Sequence, residues 1–123
     1  MKKILALAAA LVLTGICAAG AEERYGVAVY PGAKYDDASS KFLKESMNMD
    51  AACYRTGDGV DKVVAFYKKQ KGLSLFGDAT KEGALFQSKN NIDVTIQSPW
   101  MDMKTGTMMK DTLVSIVNKG AMH

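Results

Sequence analysis

Methionine is the residue through which this sequence could do chemistry. Six of the methionines fall in three close groups, Met47-Asn-Met49, Met101-Asp-Met103 and Met108-Met109, and Met122 stands near the end of the chain. A thioether sulfur is a soft, neutral donor that needs no deprotonation, so it selects Cu(I) or Ag(I) over zinc, calcium or magnesium. On a strand, a Met-x-Met pair points both sulfurs to one face, close enough to share an ion. The soft-metal reading takes Met101 and Met103 as first ligands, with Met108, Met109 or the Met47/Met49 pair completing the shell. The competing reading treats the same side chains as adaptable apolar filler, or as an exposed interaction patch of Trp100, Met101 and Met109 that meets a partner.

Other chemistry finds little support. The one histidine is His123, at the end of the sequence, so the fold holds no Ser-His-Asp or Cys-His set and no multi-histidine zinc site. General acid-base work usually recruits histidine, and no pair of carboxylates stands out for hydrolysis. Neither a phosphate-cradling glycine loop nor a Cys-x-x-Cys-His haem motif occurs. Gly57-Asp58-Gly59 reads as a turn and cap, and Asp36-Asp37 as a helix cap rather than part of a calcium loop. Tyr25, Tyr30, Tyr35, Tyr54 and Tyr67 are expected in core and rim packing rather than lining a ligand groove. The expectation is a non-enzymatic binding or interaction protein without catalytic residues. Its partner is an unknown protein or small ligand, and its cofactor is none, or Cu(I) in the soft-metal reading.

The first residues read as an address. Lys2-Lys3, the apolar run Ile4 to Leu13 and Ala19-Gly20-Ala21 form the charged region, hydrophobic region and cleavage site of a signal peptide. The run is too short to span a bilayer, and no transmembrane segment is expected elsewhere. Cleavage after Ala21 gives a periplasmic or secreted chain of residues 22–123. Acylation at Cys17 is the weaker alternative, because bulky Ile16 precedes it where lipoprotein processing wants a small residue. Losing Lys2 and Lys3 lowers the basic count from 16 to 14 against 13 acidic residues, so the formal charge falls from +3 to +1. That balance argues against a nucleic-acid partner. It also leaves Cys53 as a lone thiol. Burial is expected for it, ahead of a disulfide-linked dimer or a ligand-binding role.

The elements that must position these residues follow from periodicity. Gly26 to Tyr30 is a short strand stopped by Pro31-Gly32, and Asp36-Asp37 opens a helix that runs to Met47. Ala51 to Thr56 is a strand. Val60, Val63, Val64 and Tyr67 then make an apolar stripe on a helix from Val60 to Gln70, with Asp58 as its cap. The lysines around its end, Lys68, Lys69 and Lys71, suit the negative pole of the helix. Ala84–Ser88 and Ile92–Gln97 flank a turn at Lys89-Asn90-Asn91. Met109, Leu113, Ile116 and Val117 fit a helix, but Thr112 to Val117 is rich in β-branched residues, and strand is the choice. Pairing Ile92 with Val117 places a turn at Lys104-Thr105 and sets Trp100-Met101 against Met108-Met109 at the far end of a long hairpin.

Tyr30-Pro31-Gly32-Ala33 closes the first strand, and Tyr54-x-Thr56-x-Asp58 runs into Val63-Val64-x-Phe66-Tyr67. With these motifs the order of elements resembles small exported bacterial domains of unknown function, a likeness that implies an α+β fold and no chemistry. Trp100-Met101-x-Met103 is similar to a stretch of periplasmic copper- and silver-handling proteins. That likeness implies a tryptophan stacked over a methionine-bound ion, although those proteins use an internal histidine that this chain lacks. The expected architecture is one α+β domain, a single antiparallel sheet of four to five strands with one or two helices packed on one face.

Overall fold

The computed structural model describes residues 22–121; the expected export signal at residues 1–21, with Cys17, and Met122 and His123 lie outside them. In chain order the described residues form β1 (Glu23–Arg24), β2 (Val27–Ala28), β3 (Lys34–Tyr35), α1 (Asp37–Ser46), β4 (Ala51–Thr56), α2 (Val60–Lys68), β5 (Leu73–Phe76), β6 (Gly83–Ser88), β7 (Ile92–Gln97), β8 (Trp100–Asp102), β9 (Thr107–Met109) and β10 (Thr112–Asn118), followed by a 3-10 turn at Lys119–Ala121. The expectation of one sheet with four to five strands is overturned. The described residues are mostly β, with ten strands in three sheets, and the main sheet has six strands in the order β3-β4-β10-β7-β6-β5. Every pairing in it is antiparallel.

The central strand is the one whose type was ambiguous. In β10, Thr112 to Val117 are all buried, because the strand has neighbours on both edges and cover on both faces. Such a strand reads as a continuous apolar run without alternation. Its partner β7 alternates, with Ile92, Val94 and Ile96 buried and Asp93 and Thr95 half-buried.

Each helix takes its own face of the sheet, which overturns the expectation that both lie on one. The stripe of α2, Val60, Val63, Val64 and Tyr67, packs with Ala52, Tyr54, Phe86, Val94, Ile96, Val114 and Ile116. The Tyr67 hydroxyl donates to the Ala28 carbonyl at 2.9 Å. The hairpin β1–β2 closes this layer by burying Val27, and Val29 follows it into the core. The other helix, α1, sets Leu43 against Cys53, Leu113 and Trp100. These belong to the opposite face, since Cys53 and Leu113 alternate with Ala52, Tyr54 and Val114.

The helix ends follow from local chemistry. Asp36, in extended conformation, caps α1 by accepting the Ser39 amide at 3.2 Å. At the other end, Asn48 takes a left-handed φ of 53°, which lets the Met49 amide return to the Leu43 carbonyl at 3.0 Å. For α2 the expected cap Asp58 is displaced by Gly59, which makes no side-chain cap bond. The Asp58 carboxylate instead accepts the Tyr30 hydroxyl at 2.6 Å.

Candidate functional site

The methionine-bearing segment folds as a separate hairpin beyond the end of the main sheet. Strands β8 and β9 pair Trp100 with Met109, Met101 with Met108 and Asp102 with Thr107, as the sequence pattern indicates. The register of β7 with β10 differs from expectation by one residue, since Ile92 faces Asn118 rather than Val117. Between the paired rows Gln97–Leu113 and Trp100–Met109, one side of the ladder carries two residues, Ser98 and Pro99, and the other three, Lys110 to Thr112. The one-residue shift between the rows reverses the alternation of one strand relative to the other. Trp100 therefore comes to the same side as Cys53 and Leu113.

Trp100 is 4% exposed and pins the hairpin to the sheet. Its indole Nε1 donates to Asp111 Oδ1 at 2.9 Å, and Arg55 Nε donates to Asp111 Oδ2 at 2.7 Å. The Arg55 guanidinium lies 5.2 Å from the centre of the indole ring, a cation–π arrangement, and 4.0 Å from Asp36. The hydrogen bond to Asp111 raises the Arg55 pKa above its usual value, so the cation is permanent. Tryptophan, arginine and aspartate thus join β8, β4 and the approach to β10 in one network.

Cys53 lies beneath α1 and is fully buried. Its amide donates to Ser40 Oγ at 2.8 Å, Ser40 donates in turn to the Asp36 carbonyl, and its sulfur lies 3.5 Å from Ser115 Oγ. Burial pushes the thiol pKa up. A disulfide-linked dimer through Cys53 would need α1 to leave the sheet, so the resting fold does not present it.

Between α1 and the hairpin runs a cleft of about 240 Å3. Ala38, Ser39, Phe42 and Leu43 form one wall, Trp100 to Lys104 the other, and Cys53, Gln97, Leu113 and Ser115 the floor. Met101 and Met103 border it and are 49% and 59% exposed. Met108, 51% exposed, stands across from Met101 on β9. Met109 points inward with Trp100 and is half-buried.

The structure divides the remaining candidates. The expected patch of Trp100, Met101 and Met109 does not share a surface, because Trp100 and Met109 face the sheet while Met101 faces out. For the same reason Trp100 cannot stack over an ion held by Met101 in the way the resemblance to metal-handling proteins implies. Met47 and Met49 flank the turn that enters β4 at Ala51, beside Val117, whereas the hairpin leaves the sheet beyond the Arg55–Leu113–Gln97 row. Four residues of strand separate those rows, about 13 Å at the usual rise, so the two methionine groups lie at opposite ends of the sheet. The roles of Arg55 and Asp111 are not legible in the sequence, since a charged pair 56 positions apart carries no local signal.

A second, polar hollow of about 440 Å3 lies between the β1–β2 hairpin and the end of α2, lined by Tyr25, Lys69, Lys71 and Asn90 among others. There the Tyr25 hydroxyl donates to Asp50 at 2.8 Å, and its pKa is pushed up to about 12 by burial and then by that bond. Tyr30 likewise rises to about 12, chiefly through its bond to Asp58. Both tyrosines stay neutral through the physiological range and serve as donors. No helix among the described residues is long and apolar enough to cross a membrane. Compared with known proteins, the chain matches no family model, no curated protein and no solved structure.

Proposed function

We propose that this chain is an exported, non-enzymatic binding protein whose ligand-facing element is the β8–β9 hairpin together with the cleft beside α1. One observation carries the reading. Of the large hydrophobic side chains exposed among the described residues, half are methionines of this one hairpin: Met101, Met103 and Met108. The opposite face of the hairpin is fixed by Trp100. Grouped apolar side chains held out on a rigid scaffold favour recognition, and methionine adapts its shape to what it meets. The export signal at residues 1–21 supports action outside the cytoplasm, and the absence of an internal histidine in the sequence supports binding over catalysis.

The test uses 8-anilinonaphthalene-1-sulfonate as an apolar probe, with the methionine methyl groups followed by NMR. Saturable binding of one probe per chain, moving the Met101 and Met103 signals and leaving Met47 in place, is the expected result. Equal shifts at Met47, or no saturation, would overturn the assignment of the site.

A further inference from the structure

We infer that the outer face of the hairpin is a site for a soft monovalent cation, Cu(I) or its redox-inert analogue Ag(I), held by the thioethers of Met101, Met103 and Met108. The inference rests on the hairpin being the ligand-facing element and names the ligand it takes. Met101 and Met108 are direct cross-strand partners, so their Cβ atoms stand about 4.5 to 5.5 Å apart on one face. Three rotatable bonds per side chain then let two sulfurs converge on a shared ion. Met103 follows two residues after Met101, where the chain leaves β8 for the turn, and its side chain is as exposed as those of the pair.

The surroundings fix which donors take part. Asp102, between the two methionines, has its Oδ1 engaged by the Lys104 amide at 3.0 Å, and its carbonyl closes the turn by accepting the Gly106 amide at 2.7 Å. Trp100 and Met109 occupy the inward face, and Met47 and Met49 stand at the far end of the sheet. That leaves three neutral sulfurs, two on the paired strands and one at the braced turn beside them. Such a set is soft enough to prefer Cu(I) or Ag(I), and it leaves one side of the ion open for exchange with another carrier. Because no ligand loses a proton on binding, affinity stays level as pH falls, unlike that of a thiolate or imidazole site.

Titration of the purified protein with silver nitrate in chloride-free buffer, read by the methionine methyl signals, tests this. One equivalent should move Met101, Met103 and Met108 together while Met47, equally exposed but outside the group, stays put. Changing Met101 and Met108 together to leucine (M101L with M108L) keeps the apolar volume and should lower Ag(I) affinity at least tenfold. Movement of Met47 with the others, retention of affinity in the leucine variant, or a tenfold loss of affinity between pH 8 and pH 5 would each overturn the metal site. In the unsubstituted protein, saturable binding of the anilinonaphthalene probe without binding of Ag(I) overturns the metal site alone; failure to bind either removes the recognition reading as well.

Discussion

The two faces of the six-stranded sheet are built differently. On the α2 face, Tyr54, Tyr67, Phe86, Ile96, Ile116, Val63, Val94 and Val114 are all less than 2% exposed and interlock in one cluster. On the α1 face the buried cluster is Cys53, Trp100 and Leu113, joined by half-buried Leu43 and Met109, with a cleft beside it. Polar groups enter that second layer directly: Ser40, Ser115 and the Arg55–Asp111 pair. The difference assigns roles to the layers. Continuous apolar burial on one face supplies most of the stability, so the other can hold a hairpin, a hollow and exposed sulfur without endangering the fold.

Substitutions and pH should separate the faces. The largest effect is expected for Phe86→Ala, which empties the α2 layer and should cost about 3 to 5 kcal/mol in urea denaturation; a cost under 1 kcal/mol would show that the layers share the load. Trp100→Phe comes next. It removes the Asp111 hydrogen bond and weakens the Arg55 contact, and should cost about 1 to 2 kcal/mol while broadening the Met101 and Met108 methyl signals. Alkaline pH acts on the rim of the α2 face. Tyr25 and Tyr30 are held at about 12 in the folded chain against an ordinary value of 10. The stability they lend is complete below pH 10 and is lost as pH rises through 12. The melting temperature should therefore fall across that interval, less steeply in Tyr30→Phe. The smallest effect is expected for Met101→Leu, within about 0.5 kcal/mol, as suits an exposed side chain. Cys53 sharpens the comparison from inside: iodoacetamide should leave it untouched in the native protein, then react at urea concentrations below the main transition, if α1 lifts before the α2 face opens.

Much of this was legible from residue order where patterning is local. The bounds of β4 and β7, the α2 stripe, the Asp36 cap and the pairing of Trp100 with Met109 all follow from short-range chemistry. Strands β1 and β3 are two residues long and carry no period, and Leu73-Ser-Leu-Phe76 is too short beside Gly72 to stand out. Which face each helix takes is set by long-range packing. Ala38, Phe42 and Leu43 make a stripe too sparse to announce a separate layer. The inward turn of Trp100 depends on a one-residue shift of register between the β7–β10 and β8–β9 ladders, so a single-register hairpin drawn from sequence puts Trp100 opposite Met109 but does not tell which side they face.

The place of β10 bears on when the chain can fold at all. Strands β4 and β7 do not touch; each pairs with β10, the last strand described. Until Thr112–Asn118 is available, β3–β4 and β7-β6-β5 are two half-sheets without a common neighbour, and the link that joins them must close over long sequence separations such as Ala51 to Val117. Such non-local closure is slow. With the keystone strand coming last, a chain cut short before Thr112 is left with two half-sheets rather than a smaller version of the same sheet.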